Sequence, residues 1–120
     1  MPTDAAEAAR RLAAIGSDPA QIALVAEVEG EVLGWVHVVE STSLQSGTLV
    51  EIRGLVVAAS ARRTGVGRSL VAAAEAWAAG RGHEVIRVRT DIRREDARAF
   101  YVGVGYEERK RQVLLTRRLR

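Results

Sequence analysis

The stretch Leu55-Val56-Val57-Ala58-Ala59-Ser60-Ala61-Arg62-Arg63-Thr64-Gly65-Val66-Gly67-Arg68 passes from an apolar, strand-like triplet through a glycine loop into the start of a helix. Gly65 and Gly67 have no side chain, so the backbone there can approach a ligand closely, and free amides at a helix N-terminus point toward negative charge. Arg62, Arg63 and Arg68 bring guanidinium groups to the same place, which makes a pyrophosphate the natural guest. Two familiar phosphate loops do not fit. A P-loop needs a glycine separated by four residues from a Gly-Lys pair, and both that glycine and the lysine are missing. The dinucleotide fingerprint needs a third glycine where Leu70 stands and should follow the first strand of the fold.

The loop sits among elements of alternating type. The helix it opens is predicted over 66–79, where Leu70, Ala73, Ala74 and Trp77 form an inward stripe, and Gly80-Arg81-Gly82 ends it. Upstream, a weak amphipathic helix is predicted over 4–15 on Ala6, Ala9, Leu12 and Ala13. Two Val/Ile-rich runs, 21–28 and 32–40, read as a hairpin about Glu29-Gly30. A polar loop over 41–47 leads to a strand over 49–57, with Glu51 and Arg53 on one face, Val50 and Ile52 on the other, and a bulge at Gly54. Downstream come a strand over 84–90, a short helix over 95–103 grouping Ala97, Phe100 and Tyr101, and a closing hairpin around Tyr106 and over 112–119. The order makes an α/β fold whose mixed, mostly antiparallel sheet is flanked by helices, with a crossover after the third strand.

At 120 residues the chain reads as one domain over 1–120, large enough for a single core. It has no cysteine, so thiolate metal sites and a cysteine nucleophile are excluded, and its two histidines, His37 and His83, have no ligand-like spacing, so no metal is expected. No apolar run approaches a bilayer span, and Met1-Pro2-Thr3-Asp4 is unlike a signal peptide; no membrane association and a cytoplasmic location are expected. Residues 1–61 carry three Arg against eight Asp or Glu, whereas residues 81–120 carry twelve basic residues against six acidic ones. If Glu40 and Glu51 face an acceptor site, that asymmetry draws a cationic amine to them.

The loop Arg62-Arg63-Thr64-Gly65-Val66-Gly67 resembles the acetyl-CoA loop of the GNAT superfamily of N-acetyltransferases: Arg or Gln, two residues, Gly, one residue, Gly or Ala. Ala97, Phe100, Tyr101, Gly105 and Tyr106 stand in the register of a second motif that often closes members of that family. The resemblance covers about residues 20–119. It departs at Arg94, where the family often has Asn, and at Arg89, where some relatives carry a catalytic carboxylate. It also implies a member shortened by the family's first strand and first helix, or completed by another subunit, so a homodimer is expected.

Acetyl-CoA as co-substrate follows from the resemblance. It implies that an amine of a small molecule or peptide attacks the thioester directly. Leu55, Val56 and Val57 would pair with the pantetheine amides like an added strand, and the amides of Arg62, Arg63, Thr64, Gly65, Val66, Gly67 and Arg68 would take the pyrophosphate. The Val57 amide would face the developing oxyanion, and Tyr101, of ordinary pKa near 10, would protonate the departing thiolate. On the residues alone Tyr101 also reads as a core aromatic beside Phe100. Glu51 is a candidate base and His37 a second, and capture of the neutral fraction of the amine needs neither. Two other functions fit the sequence: a GNAT-fold module that binds acyl-CoA without turnover, and a nucleic-acid-binding domain using Arg109-Lys110-Arg111 and Arg117-Arg118. No aromatic stacking pattern accompanies those arginines, so no nucleic-acid partner is expected.

Overall fold

A computed structural model describes residues 5–120. Asp4, expected to open the first helix, and the start Met1-Pro2-Thr3-Asp4 lie outside the described residues. The chain forms two compact units, one ending at Arg89 and one running from Thr90 to Arg120.

The first unit is an α/β sandwich of sheet and helix. Its elements are α1 (Ala5–Gly16), β1 (Gln21–Val28), β2 (Glu31–Ser43), β3 (Gly47–Val57), α2 (Val66–Gly80) and β4 (Arg87–Val88). The sheet order is β1-β2-β3-β4, antiparallel except for the parallel β3/β4 pair that α2 joins as a crossover. Glu29 and Gly30 both adopt positive φ, 51° and 81°, which gives the β1–β2 hairpin the twist its strands require. Alternation buries Val36 and Val38 of β2 with Val50 and Ile52 of β3, and Leu70, Val71, Ala74 and Ala78 of α2 are buried as well. The expected helix stripe is therefore shifted: Ala73 is exposed and Trp77 only half-buried, under the Arg81 guanidinium 4.9 Å from its ring. In α1 the expected stripe fails, since Ala6, Ala9, Leu12 and Ala13 are exposed while Ala8 and Ile15 are half-buried; a face of small alanines offers little area to bury.

β3 carries the bulge expected near Gly54. His37 pairs with Gly54 and Val38 with Ile52, leaving Arg53 as the extra residue. Beyond it β4 no longer follows β3, and the strand expected over 84–90 pairs only at Arg87 and Val88, opposite Glu51 and Ile52. A bulge bends and twists its strand, which accounts for the loss of parallel pairing at that point. Among the described residues no helix is long and apolar enough to cross a membrane.

In the second unit α3 (Glu95–Gly103) has the bounds expected of it, with Glu95 and Asp96 in the first turn, where negative charge suits the helix dipole. Its end folds back: Tyr106 N–H donates to Tyr101 O at 2.9 Å and Gly105 N–H to Val102 O at 3.1 Å, with Gly105 at φ +104°. The closing hairpin expected around Tyr106 and over 112–119 does not form among the described residues. Residues 107–120 pair with no strand among the described residues.

Candidate functional site

Of the last three residues of β3, Leu55 and Val57 turn their backbone groups away from β2. Ala58 N–H donates to Leu33 O at 2.8 Å, and Val57 lies opposite Gly34 and Leu55 opposite Val36. Because hydrogen-bonding direction alternates along an antiparallel strand, the N–H and C=O of Val57 and of Leu55 point away from β2, while those of Val56 point toward it. On that side β4 has already ended, so no strand among the described residues uses these groups. The close approach of β2 here depends on Gly34, where a Cβ would lie 2.6 Å from Val56 O and 3.1 Å from Leu70 Cδ1. Sequence reading passed over this glycine, although one inside a strand marks such an approach.

A single 3-10 turn, Ala59–Ala61, carries the chain from β3 to the loop, and Thr64 Oγ1 caps it by donating to Ala61 O. Arg63 at φ +64° and Gly65 at φ +91° then turn the backbone into α2. No side chain caps that helix, and its first i to i−4 bond is Ser69 N–H to Gly65 O at 3.0 Å. The amides of Val66, Gly67 and Arg68 thus stay unpaired within the helix, as helix geometry requires. A Cβ at Gly65 would meet nothing within 4 Å, so the loop borders free space. Arg62, Arg63 and Arg68 are exposed and have no carboxylate partner among the described residues. An open strand edge, free helix amides and three unpaired guanidiniums suit a ligand with an amide-bearing arm and a pyrophosphate.

Glu51 sits differently from what a base requires. It is 4% exposed, and Arg53 Nε donates to one carboxylate oxygen at 2.6 Å and Arg87 Nε to the other at 2.8 Å, with Arg89 Nε 3.6 Å away. Both oxygens are engaged, so protonating it would disrupt charge-assisted bonds. Glu40 is also taken: Arg81 Nη2 donates to it at 2.8 Å and His83 Nε2 lies 2.5 Å away, and these partners hold its carboxyl down to about 2. Glu40 and Glu51, expected to draw a cationic amine if they face an acceptor site, are both engaged in ion pairs. His37 Nε2 lies 2.7 Å from Gln21 Oε1, and burial, then Arg53, push its pKa below the ordinary 6.5, favouring the neutral ring.

In the second unit Tyr101 is 8% exposed, with the Phe100 ring centroid at 5.1 Å and that of Tyr106 at 5.6 Å, both edge-on. Burial raises its pKa above the ordinary 10, against a smaller opposing effect of Arg94, and keeps the phenol protonated at neutral pH. Leu55 to Arg68 are brought together in the first unit, and Tyr101 belongs to the second. Among the described residues no cluster of His, Asp and Glu could hold a metal.

The sequence profile of the Acetyltransferase (GNAT) family matches residues 2–106. The chain belongs to that family. The chain is 32% identical over 93 residues to aminoglycoside N(6')-acetyltransferase type 1 of Klebsiella aerogenes, a match covering 75% of this chain and 61% of that relative. It thus spans about three fifths of the length of the curated relative it matches. The GNAT fold is equally clear in solved structures. The apo aminoglycoside 6'-N-acetyltransferase AAC(6')-IG of Acinetobacter haemolyticus superposes with TM-score 0.86 at 15% identity, covering 100% of this chain and 86% of that one. AAC(6')-Iy in complex with a CoA bisubstrate analogue gives TM-score 0.86 at 22% identity, covering 97% and 81%.

Proposed function

We propose that this GNAT chain transfers the acetyl group of acetyl-CoA to a primary amine of a small molecule, of the aminoglycoside type. The carrying observation is the open edge of β3, where Leu55 and Val57 turn N–H and C=O outward just ahead of a glycine loop with three unpaired arginines. The acceptor class is supported by the 32% identity to an aminoglycoside N(6')-acetyltransferase. The co-substrate puts the reaction in the cytoplasm, where acetyl-CoA is made.

Bound acetyl-CoA supplies an acetyl group activated as a thioester. Leu55 and Val57 hold the pantetheine arm through backbone hydrogen bonds, and the amides of Gly65 to Arg68 with Arg62 and Arg63 hold the pyrophosphate. The Val57 N–H donates to the carbonyl oxygen as negative charge develops there while the amine forms its C–N bond. Tyr101 gives its proton to the sulfur as the C–S bond breaks, and the acetylated nitrogen loses its extra proton to solvent or to neutral His37. Glu51 orders Arg53, Arg87 and Arg89 in this reading.

A second reading, acyl-CoA binding without turnover, is favoured by the engagement of both oxygens of Glu51, the carboxylate expected as base. Calorimetric titration with acetyl-CoA tests what both readings share. The parent binds, and Gly65→Ala with Gly67→Val weakens binding by an order of magnitude or more. Unchanged affinity would contradict the placement of the pyrophosphate.

A further inference from the structure

The face of the sheet turned away from α2 carries a row of apolar side chains into solvent. A Cβ on Gly34 would lie 3.1 Å from Leu70 Cδ1, so positions 34, 36 and 38 of β2 face α2 and positions 35 and 37 face the other way. On that other face Val25 of β1, Trp35 of β2 and Val56 of β3 stand opposite one another across three strands. They are 55, 39 and 48% exposed. Single exposed apolar residues are ordinary, whereas a contiguous row built around an indole has the composition of a contact surface.

Gly54 sets how the indole lies. A Cβ there would come 2.9 Å from Trp35 Cζ3 and 3.1 Å from Cη2, so the ring rests over the bare backbone of β3, three residues before Val57. His37 lies opposite Gly54 and shares the face. The charges nearby decide what the ring receives. Residues 12–52 contain neither Lys nor Arg. Asp18, Glu40 and Glu51 of that span are engaged by hydrogen bonds, but Glu27, Glu29 and Glu31 have no hydrogen bond or ion pair among the described residues. These three stand at the β1–β2 turn, and because Ala58 N–H donates to Leu33 O, that turn lies at the same end of the sheet as Val57. Glu27, two residues along β1 from Val25, is on the face of the row.

We propose that Trp35 is the platform on which the acceptor stacks: a ring-bearing cationic amine lies against the exposed indole between Val25 and Val56, with Glu27 drawing its charge. An ammonium over an indole is attracted by the ring quadrupole, for which Trp is the best side chain, and the apolar face of the acceptor ring gains by covering the two valines. The proposal rests on the acetyl-transfer reading and goes beyond it in naming the side chains that select the acceptor.

Calorimetry with neamine, a two-ring polyamine, tests this with CoA in place of acetyl-CoA, so that no transfer is needed. Trp35→Ala weakens neamine binding about tenfold and Trp35→Phe no more than about threefold, while both bind CoA as the parent does. Glu27→Gln, at an exposed position, weakens neamine about two- to fivefold and flattens its salt dependence. A parent that binds neamine in this pattern yet transfers nothing would support the platform and contradict the transfer reading. A parent that binds no neamine would overturn the proposal, as would parental neamine affinity in Trp35→Ala or a loss of CoA affinity equal to that for neamine. A change in sedimentation of Trp35→Ala at unchanged neamine affinity would give the face to a second copy, and so overturn it too. Should Trp35→Ala fail to fold, Glu27→Gln decides: parental affinity and salt dependence there would overturn the proposal.

Discussion

Glu51 and Tyr101 are both buried, but only Glu51 is held by ion pairs. Three guanidiniums surround the Glu51 carboxylate, and two of them donate to it. Glu51→Gln is expected to lower stability by about 1–3 kcal/mol, because buried charge-assisted bonds are lost. Turnover per folded molecule should fall far less than the roughly 100- to 10,000-fold that loss of a general base causes. Melting temperature and kcat measured together decide this, and an unchanged melt with collapsed kcat would restore Glu51 as base. Tyr101→Phe keeps the ring packing on Phe100 and Tyr106 and removes only the acid. It should cut kcat by about 100-fold or more with acetyl-CoA affinity unchanged; a kcat matching the parent from pH 7 to 9 would remove the assignment. The glycine loop was legible because its chemistry is local: free amides, two glycines and three arginines within seven residues. Glu51 was not, because two of its partners, Arg87 of β4 and Arg89 just past it, lie 36 and more residues away.

At the scale of elements, α2 gathers the core and fixes the loop. Leu70 is 3% exposed and borders Gly34, so Leu70→Ala should cost about 2–5 kcal/mol in denaturant unfolding. The helix ends at Gly80, and Gly82 at φ +88° closes it, with Gly82 N–H donating to Ala79 O and His83 N–H to Ala78 O. Just past that end, Arg81 and His83 tie it to Glu40 of β2. The Glu40 pKa, about 2 against an ordinary 4.5, is depressed, so its stabilisation is fully present above pH 4.5 and is lost as pH falls toward 2. The gap in melting temperature between the parent and Glu40→Gln should therefore close over that interval; a constant gap would contradict the ion pair. Helix ends and the β1–β2 turn were readable from glycine positions and periodicity. The length of β4 was not, since Val85, Ile86 and Thr90 look as strand-like as Val88; the bulge at Arg53 bears on the pairing past Val88 alone.

For the whole molecule, the division into an acidic first half and an arginine-rich second half does not survive folding of the first unit. Glu40 and Glu51 take up Arg81, Arg87 and Arg89 from the later sequence. Arg62, Arg63 and Arg68 keep no such partner among the described residues and remain for an anionic ligand. Acetyl-CoA affinity should accordingly fall as salt rises from about 10 mM to 1 M, over which the screening length shrinks from about 30 to 3 Å. The central claim is transfer itself. The most direct test is amine-dependent release of CoA thiol from acetyl-CoA over aminoglycosides bearing a 6'-amine and simpler primary amines, with mass analysis of the acceptor. Thiol release is expected in step with N-acetylation; acetyl-CoA bound tightly but cleaved with no acceptor in the panel would contradict transfer.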